Sequence, residues 1–397
     1  MTSKLVRMNA VDLLAIAADW SFWDHAPPSS IRRSVALPVE LRADRAVVIQ
    51  GVRRGGKSTL MQQFIRHYRL DRQKCLFLNF EDPRLSPVLD HRTLDTMVKS
   101  FEADRGKGAT FFLDEIQWVA GWQRWLRLQL DRPRDRRFVV TGSNAHLLSG
   151  ELGSTLTGRH HTVELFPFDF TEFRTARPRA SLSEYLESGG FPATVGSKDR
   201  DLILRGYFTD IVERDMRERV AARSSLPLRR LVQMLFEAAG SETSTRRLAA
   251  ALGLSPDTAG AYIEAAESAY LALGAPYFAH SARRQLARHR KVYPIDPGLR
   301  RSVVTTSGAD LGKQFECAVY LLLRRRFQTV HYWRGVGEVD FVVEHQGKAV
   351  PIQATWGESQ ARHQRAIDEF HEVHPYAGEA VIITPESFQR GVPELLP

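Results

Sequence analysis

Residues 46–59 read Ala46-Val47-Val48-Ile49-Gln50-Gly51-Val52-Arg53-Arg54-Gly55-Gly56-Lys57-Ser58-Thr59, and this stretch decides the fold. Its first part is a short β-branched run ending at a glycine, the signature of a buried strand. Gly51 through Ser58 then satisfies G-x-x-x-x-G-K-[ST] at every fixed position, and residues 58–68 carry helical spacing. Glycines in such a turn let backbone N–H groups face an anion, and the helix that follows adds its N-terminal dipole. The chemistry that fits is a nucleotide phosphate. Gly51, Arg54, Gly55, Gly56, Lys57, Ser58 and Thr59 are the candidate contacts. Lys57 is placed to reach the β- and γ-phosphates and Ser58 to hold Mg²⁺.

The next signal is Phe111-Phe112-Leu113-Asp114-Glu115, an apolar strand ending in two acids. Asp114 is a candidate Mg²⁺ partner, and Glu115 a candidate base for the attacking water, with ATP as substrate. A further apolar run ends Val139-Val140-Thr141-Gly142-Ser143-Asn144, where Ser143 or Asn144 could touch a γ-phosphate; an N-cap role for Ser143 fits equally well. Arg159, just beyond, is a candidate arginine finger for a neighbouring subunit's phosphate, set against the usual fate of an arginine as a solvated surface group. Strands read at 46–50, 75–80, 110–113 and 138–141 alternate with helices at 58–68, 94–102 and 122–130. That alternation predicts a parallel sheet covered on both faces. The run at 75–80 suggests an extra strand between the phosphate-loop strand and the acidic strand.

Composition narrows the class. The chain has 397 residues, 55 Lys and Arg against 46 Asp and Glu, and a net charge of +9, which favours an anionic partner. No apolar run reaches the ~18 to 20 residues of a membrane span. The N-terminal stretch holds Asp12 and Asp19, unlike a secretory segment, and two cysteines make neither a disulfide framework nor a zinc cluster. A cytoplasmic protein without a membrane partner is the expectation.

Beyond residue 166 the pattern becomes helical, with Gly189-Gly190 and residues 224–227 as breaks. Residues 244–252, a turn at Gly253, and 257–271 read as helix–turn–helix, with Ser255 or Asp257 as the second cap. That second helix carries Glu264 and Glu267 but no Lys or Arg, so base reading through it is not expected. The bases lie elsewhere: Arg246 and Arg247 on the preceding helix, then Arg283, Arg284, Arg288, Arg290 and Lys291. They could grip DNA phosphates without reading sequence, or form a solvated loop. Arg214 is a candidate for sensing nucleotide; a salt bridge within its own region fits equally well. From residue 311 the α/β alternation returns.

Taken in order, residues 51–58, 112–115, 140–144, 157–173 (TGRHHTVELFPFDFTEF), 189–192 (GGFP), 210–215 (DIVERD), 291–298 (KVYPIDPG) and 338–341 (EVDF) resemble the bacterial and archaeal AAA+-type ATPases that carry a C-terminal domain of unknown function. The resemblance covers nearly the whole chain. It implies an α/β P-loop AAA+-type parallel sheet, a helical lid, a winged helix and a small C-terminal α/β restriction-endonuclease-like domain. The corresponding boundaries are 1–40 for an N-terminal helical extension, 41–170 for the ATPase module, 171–225 for the lid, 226–310 for the winged helix and 311–397 for the end domain. The basic residues 283–291 would then fall on the wing.

In a restriction-type nuclease, acids on a helix and a strand hold Mg²⁺, and a Glu-x-Lys pair on the next strand completes the site. Here Glu316, Glu338 and Asp340 supply the acids, but Gln353 replaces the glutamate and Thr355 the lysine. Lys313 and Lys348 do not substitute cleanly, so the end domain is expected to be catalytically silent. The reading is an oligomeric ATPase, of the kind that usually forms rings, that remodels or moves along branched or single-stranded DNA. The alternatives are a nucleotide-dependent switch that binds a protein partner, and an ATP-dependent nuclease.

Overall fold

In the computed structural model, residues 8–132, 135–143, 156–305, 311–357 and 361–390 are described. The chain divides into two compact units: residues up to Gly51 with Gly56–Leu165, and Val52–Gly55 with the residues from Phe166 onward.

The first unit is built on five parallel strands, β1 (Ala46–Gln50), β2 (Cys75–Asn79), β3 (Thr110–Asp114), β4 (Arg137–Gly142) and β5 (His160–Glu164), in the order β2-β3-β4-β1-β5. Their apolar residues alternate between two cores, as period-two strands require. Val47, Ile49, Phe77, Phe112 and Val139 pack toward the helix Lys57–His67. Val48, Leu76, Leu78, Phe111, Leu113, Phe138 and Val140 pack toward the helices Ala10–Trp20, His91–Arg105 and Trp122–Asp131. Trp23 joins this second core, donates its indole N–H to Cys75 O and stacks on Phe101, which ties the segment before β1 to the sheet edge.

One expectation is corrected here. The strand lying between the phosphate-loop strand β1 and the acidic strand β3 is β4, not the run at 75–80, which is the outer strand β2. Sequence order says nothing of lateral order in a parallel sheet, because each crossover can skip a strand.

The second unit begins with short helices and a seven-residue π-helix, Ile211–Arg217. The helical middle is not purely helical: β6 (Glu242–Thr243), β7 (Ala272–Ala275) and β8 (Arg290–Pro294) form an antiparallel sheet ordered β6-β8-β7. Ser244 caps the helix Thr245–Leu252, Gly253 ends it in the left-handed conformation, and Ser255 caps Pro256–Ser268. A second, mixed sheet, β9 (His331–Arg334), β10 (Glu338–His345), β11 (Lys348–Ala354) and β12 (Val381–Ile383), is ordered β12-β11-β10-β9.

The glycine break at 189–190 and Asp296 of the 291–298 motif form one joint. Asp296 caps the helix Pro297–Val303 through Leu299 N and accepts Gly190 N at 2.6 Å. A Cβ on Gly189 would fall 2.0 Å from Asp296 Oδ1, so the carboxylate fits only against glycine. Burial pushes the Asp296 carboxyl up to about 6.

Candidate functional site

In the first unit, the carboxyl ends of β1 and β3 and the start of Lys57–His67 converge. Leu165 N donates to Gln50 O at 2.8 Å, which brings the chain after β5 so close that a Cβ on Gly51 would lie 2.1 Å from Leu165 O. Gly56 caps the helix in the left-handed region (φ 99°) and offers no capping side chain. Helix N-termini leave backbone N–H groups without intrahelical partners, and here no side chain at the cap claims them.

Around that terminus the predicted residues come together. Ser58 Oγ donates to Asp114 Oδ2 at 2.6 Å. Lys57 Nζ donates to Gly51 O at 3.1 Å and lies 3.7 Å from Glu115 Oε1. Glu115 stands in the left-handed region (φ 55°), an uncommon conformation for a side-chain-bearing residue. It follows Asp114 directly, and both carboxylates meet side chains of the phosphate-loop helix. Gln117 Nε2 donates to Glu115 Oε2 at 2.5 Å. Burial, and then the neighbouring Glu115, hold the Asp114 carboxyl above the usual range, opposed by hydrogen bonds from Ser58 and Thr141.

Thr141 is the residue that sequence reading missed. Fully buried on β4, its hydroxyl donates to Asp114 Oδ1, and its Oγ1 accepts Glu115 N at 3.0 Å. It positions both acids from the strand between β3 and β1. The signal was lateral order, which only the sheet reveals. Ser143 is buried at the end of the same segment, and Asn144 lies outside the described residues. Thr59 is half-buried on the helix. Arg159 is held within its own unit, its guanidinium 3.0 Å from Asp131 Oδ1 and donating to Leu130 O at 3.1 Å.

Within the second unit, Arg53 and Arg54 of the loop part ways. Arg53 is buried and makes a two-point pair with Asp215 of the π-helix, at 3.0 and 3.2 Å. Exposed Arg54 lies over the Tyr207 ring, with Gly55 buried beside it. In the 210–215 motif the ion pairs are made by Asp215, with Arg53, and by Glu213, with Arg229 at 2.9 Å and Arg217 at 3.2 Å, while Arg214 is exposed.

The basic residues also separate. Arg246, Arg247, Arg283, Arg284 and Arg288 are exposed. Arg290 pairs with Glu267, one of the acids on Pro256–Ser268, at 2.8 Å. Lys291 corrects its assignment as a DNA contact: its side chain is 1% exposed and its Nζ lies 2.5 Å from Glu338 Oε1 and 3.7 Å from Glu316 Oε1. It alternates on β8 with Arg290, so one faces solvent and the other the interior. The segment between β7 and β8 is also no free wing at its base, because Phe278 N donates to Tyr332 O and Tyr332 N to Pro276 O, at 2.7 and 3.0 Å.

The nuclease-like positions Glu316, Glu338, Asp340 and Gln353 are brought together around Lys291, whereas Thr355 turns away to donate to Gly357 O. The lysine beside these acids is neither Lys313 nor Lys348 of the end domain but Lys291 of β8.

Residues 43–174 match the family described as an AAA domain, residues 179–310 a Domain of unknown function (DUF8612), and residues 311–394 a Domain of unknown function (DUF4143). An uncharacterized protein of Haemophilus influenzae is 29% identical over 337 residues, covering 80% of this chain and 84% of that one. One of Methanocaldococcus jannaschii is 29% identical over 368 residues, covering 85% and 80%. Among solved structures, PCH-2 of C. elegans overlaps at a TM-score of 0.26 and 11% identity, over 56% of this chain and 61% of that one. Cdc6p from Pyrobaculum aerophilum overlaps at 0.27 and 10% identity, over 76% and 95%. The phosphate-loop residues thus lie in a segment that matches an AAA domain, followed by two segments that match domains of unknown function.

Proposed function

We propose that the chain binds and hydrolyses ATP at the glycine loop. The observation that carries this is the contact set of Lys57, Ser58, Asp114, Glu115 and Thr141 at the carboxyl ends of parallel strands. Gly51, Arg54, Gly55, Gly56 and Thr59 would face the phosphates, with Ser143 and Asn144 near the terminal one. Ser58 and Asp114 form a hard oxygen pair suited to Mg²⁺, which when bound supplies positive charge against the phosphate oxygens. Lys57 exchanges Gly51 O for a phosphate oxygen, and Glu115 takes a proton from the attacking water. Thr141 keeps the two acids apart in role: its hydroxyl holds Asp114, and its oxygen fixes the backbone of Glu115. Phosphate release from ATP, measured for the wild type and Glu115→Gln with binding of a fluorescent ATP analogue in parallel, tests the assignment. Turnover that survives the substitution sinks it.

The finer reading is an oligomer working on DNA, in which Arg159 leaves Asp131 to complete a neighbour's site. Exposed Arg246, Arg247, Arg283, Arg284 and Arg288 support phosphate contacts, and the acids of Pro256–Ser268 argue against base reading. Arg214, exposed, is kept as a nucleotide-sensing candidate. ATP turnover with single-stranded, duplex and branched DNA at two salt concentrations separates this from a switch acting on a protein partner. Sizing with an ATP analogue tests the oligomer.

A further inference from the structure

The pocket around Lys291 has the outline of a cation site and a different content. Glu316 approaches from the helix Leu311–Arg324, Glu338 and Asp340 from β10, and Gln353 from β11. Glu316 accepts the Tyr293 hydroxyl at 2.8 Å. Asp340 Oδ2 accepts Gln353 Nε2 at 2.7 Å and Ala354 N at 2.9 Å. The Lys291 ammonium sits 5.4 Å from the centre of the Tyr332 ring. Gly240, in the left-handed region, is passed so closely that a Cβ there would lie 2.8 Å from Glu316 Oε1.

A restriction-endonuclease-like end implies Mg²⁺, so the donor set can be tested against that ion. Mg²⁺ demands about six oxygens in an octahedron at about 2.0–2.1 Å. Here an ammonium already stands between Glu316 and Glu338. Gln353 turns its NH₂ toward Asp340, while its carbonyl oxygen is buried without a partner. A donor aimed at a carboxylate opposes a metal there, since it needs the same oxygen. Among the described residues, no group of three or more His, Cys, Asp or Glu is arranged to hold a metal ion. The residues do not fit the metal.

We infer that the Lys291 ammonium is the resident cation of this pocket, supplied by β8 in place of a divalent metal, so that the end domain is a metal-free clamp on β8. Several contacts agree. β8 carries both Lys291 and Tyr293 into the pocket, and Arg334 on β9 reaches Glu242 of β6 and Glu338, each at 3.6 Å. The same carboxylates that would ligate a metal thus join two sheets of one unit.

The test uses the full chain, stripped with EDTA and free of nucleotide, titrated with Mn²⁺ and followed by electron paramagnetic resonance. Asp340→Asn marks this pocket, because acids of the phosphate loop can also take Mn²⁺. Wild type and Asp340→Asn are expected to bind Mn²⁺ alike. Lys291→Met is expected to gain affinity by at least about tenfold, and Lys291→Met with Asp340→Asn to lose that gain. Wild-type binding that Asp340→Asn weakens overturns the inference, as does a folded Lys291→Met that gains nothing. Should Lys291→Met not fold, Gln353→Glu decides: with the lysine in place, the added carboxylate is expected to create no Mn²⁺ site, and a site sensitive to Asp340→Asn overturns the inference. Mn²⁺-dependent cleavage of plasmid DNA by the wild type, lost in Asp340→Asn, overturns it too.

Discussion

Two lysines in this molecule sit buried beside acids, and the difference between them separates a site for exchange from a fastening. Lys57 is held by a backbone carbonyl at 3.1 Å and by a carboxylate only at 3.7 Å. It stands at a helix N-terminus whose cap makes no side-chain hydrogen bond. Lys291 is held by Glu338 at 2.5 Å, on a β-strand paired on both sides. A lysine hydrogen-bonded to a neutral carbonyl gains by moving that bond to a phosphate, whereas one locked to a carboxylate does not. Composition alone would call the two sites alike.

Alanine in place of each lysine separates the two roles. Lys57→Ala is expected to lower ATP turnover by about 10³-fold with little change in melting temperature, since the main loss is charge stabilisation of the reacting phosphate. If melting falls instead, Lys57 is a fastening after all. Lys291→Ala should do the reverse, destabilising the second unit by about 3 kcal/mol in urea melts, because it strands two carboxylates that the ammonium neutralised. An unchanged melting curve would mean the pocket carries no load.

A third buried carboxylate sharpens the contrast through pH. Asp296, with a folded-state value of about 6, sits above its ordinary 3.8. Its folded form therefore holds the proton more tightly than the unfolded chain. That contribution is fully present below about pH 4 and lost as pH rises through about 6. Between pH 4.5 and 7.5 the loss is expected at about 2 kcal/mol, and Asp296→Asn should abolish this slope in melts over that range. Smallest is the surface effect. Replacing Arg283, Arg284 and Arg288 together with Ala should weaken DNA binding and flatten its salt dependence, by a slope of about 0.9 per lost phosphate contact on duplex. Equal slopes before and after would remove these residues from the DNA reading.

Much of the first unit was legible in the chain. A β-branched run, glycines, a lysine and a helical period are local signals, and they located β1, the loop and its helix within a residue or so. The acids of β3 were legible for the same reason. Thr141 was not, because its role comes from β4 lying between β3 and β1, and lateral strand order leaves no mark on a single sequence. Lys291 was misread for a related reason. Five basic residues within nine positions look like one surface, yet strand alternation turned Lys291 inward while Arg290 stayed out.

The sequence by itself therefore determined the phosphate loop, the acidic strand, the parallel α/β sheet and the absence of a basic reading helix, because each is written in neighbours within one element. Tertiary structure alone decided which arginine of the loop is buried, that Thr141 holds both acids, and that Gly189, Gly190 and Asp296 form one joint. It also decided that the end domain's acids Glu316 and Glu338 face a lysine that lies outside that domain, on β8, with Glu338 47 positions away in sequence. Those outcomes depend on long-range approach of buried charges, where burial and geometry set the energy and residue spacing carries no trace of it.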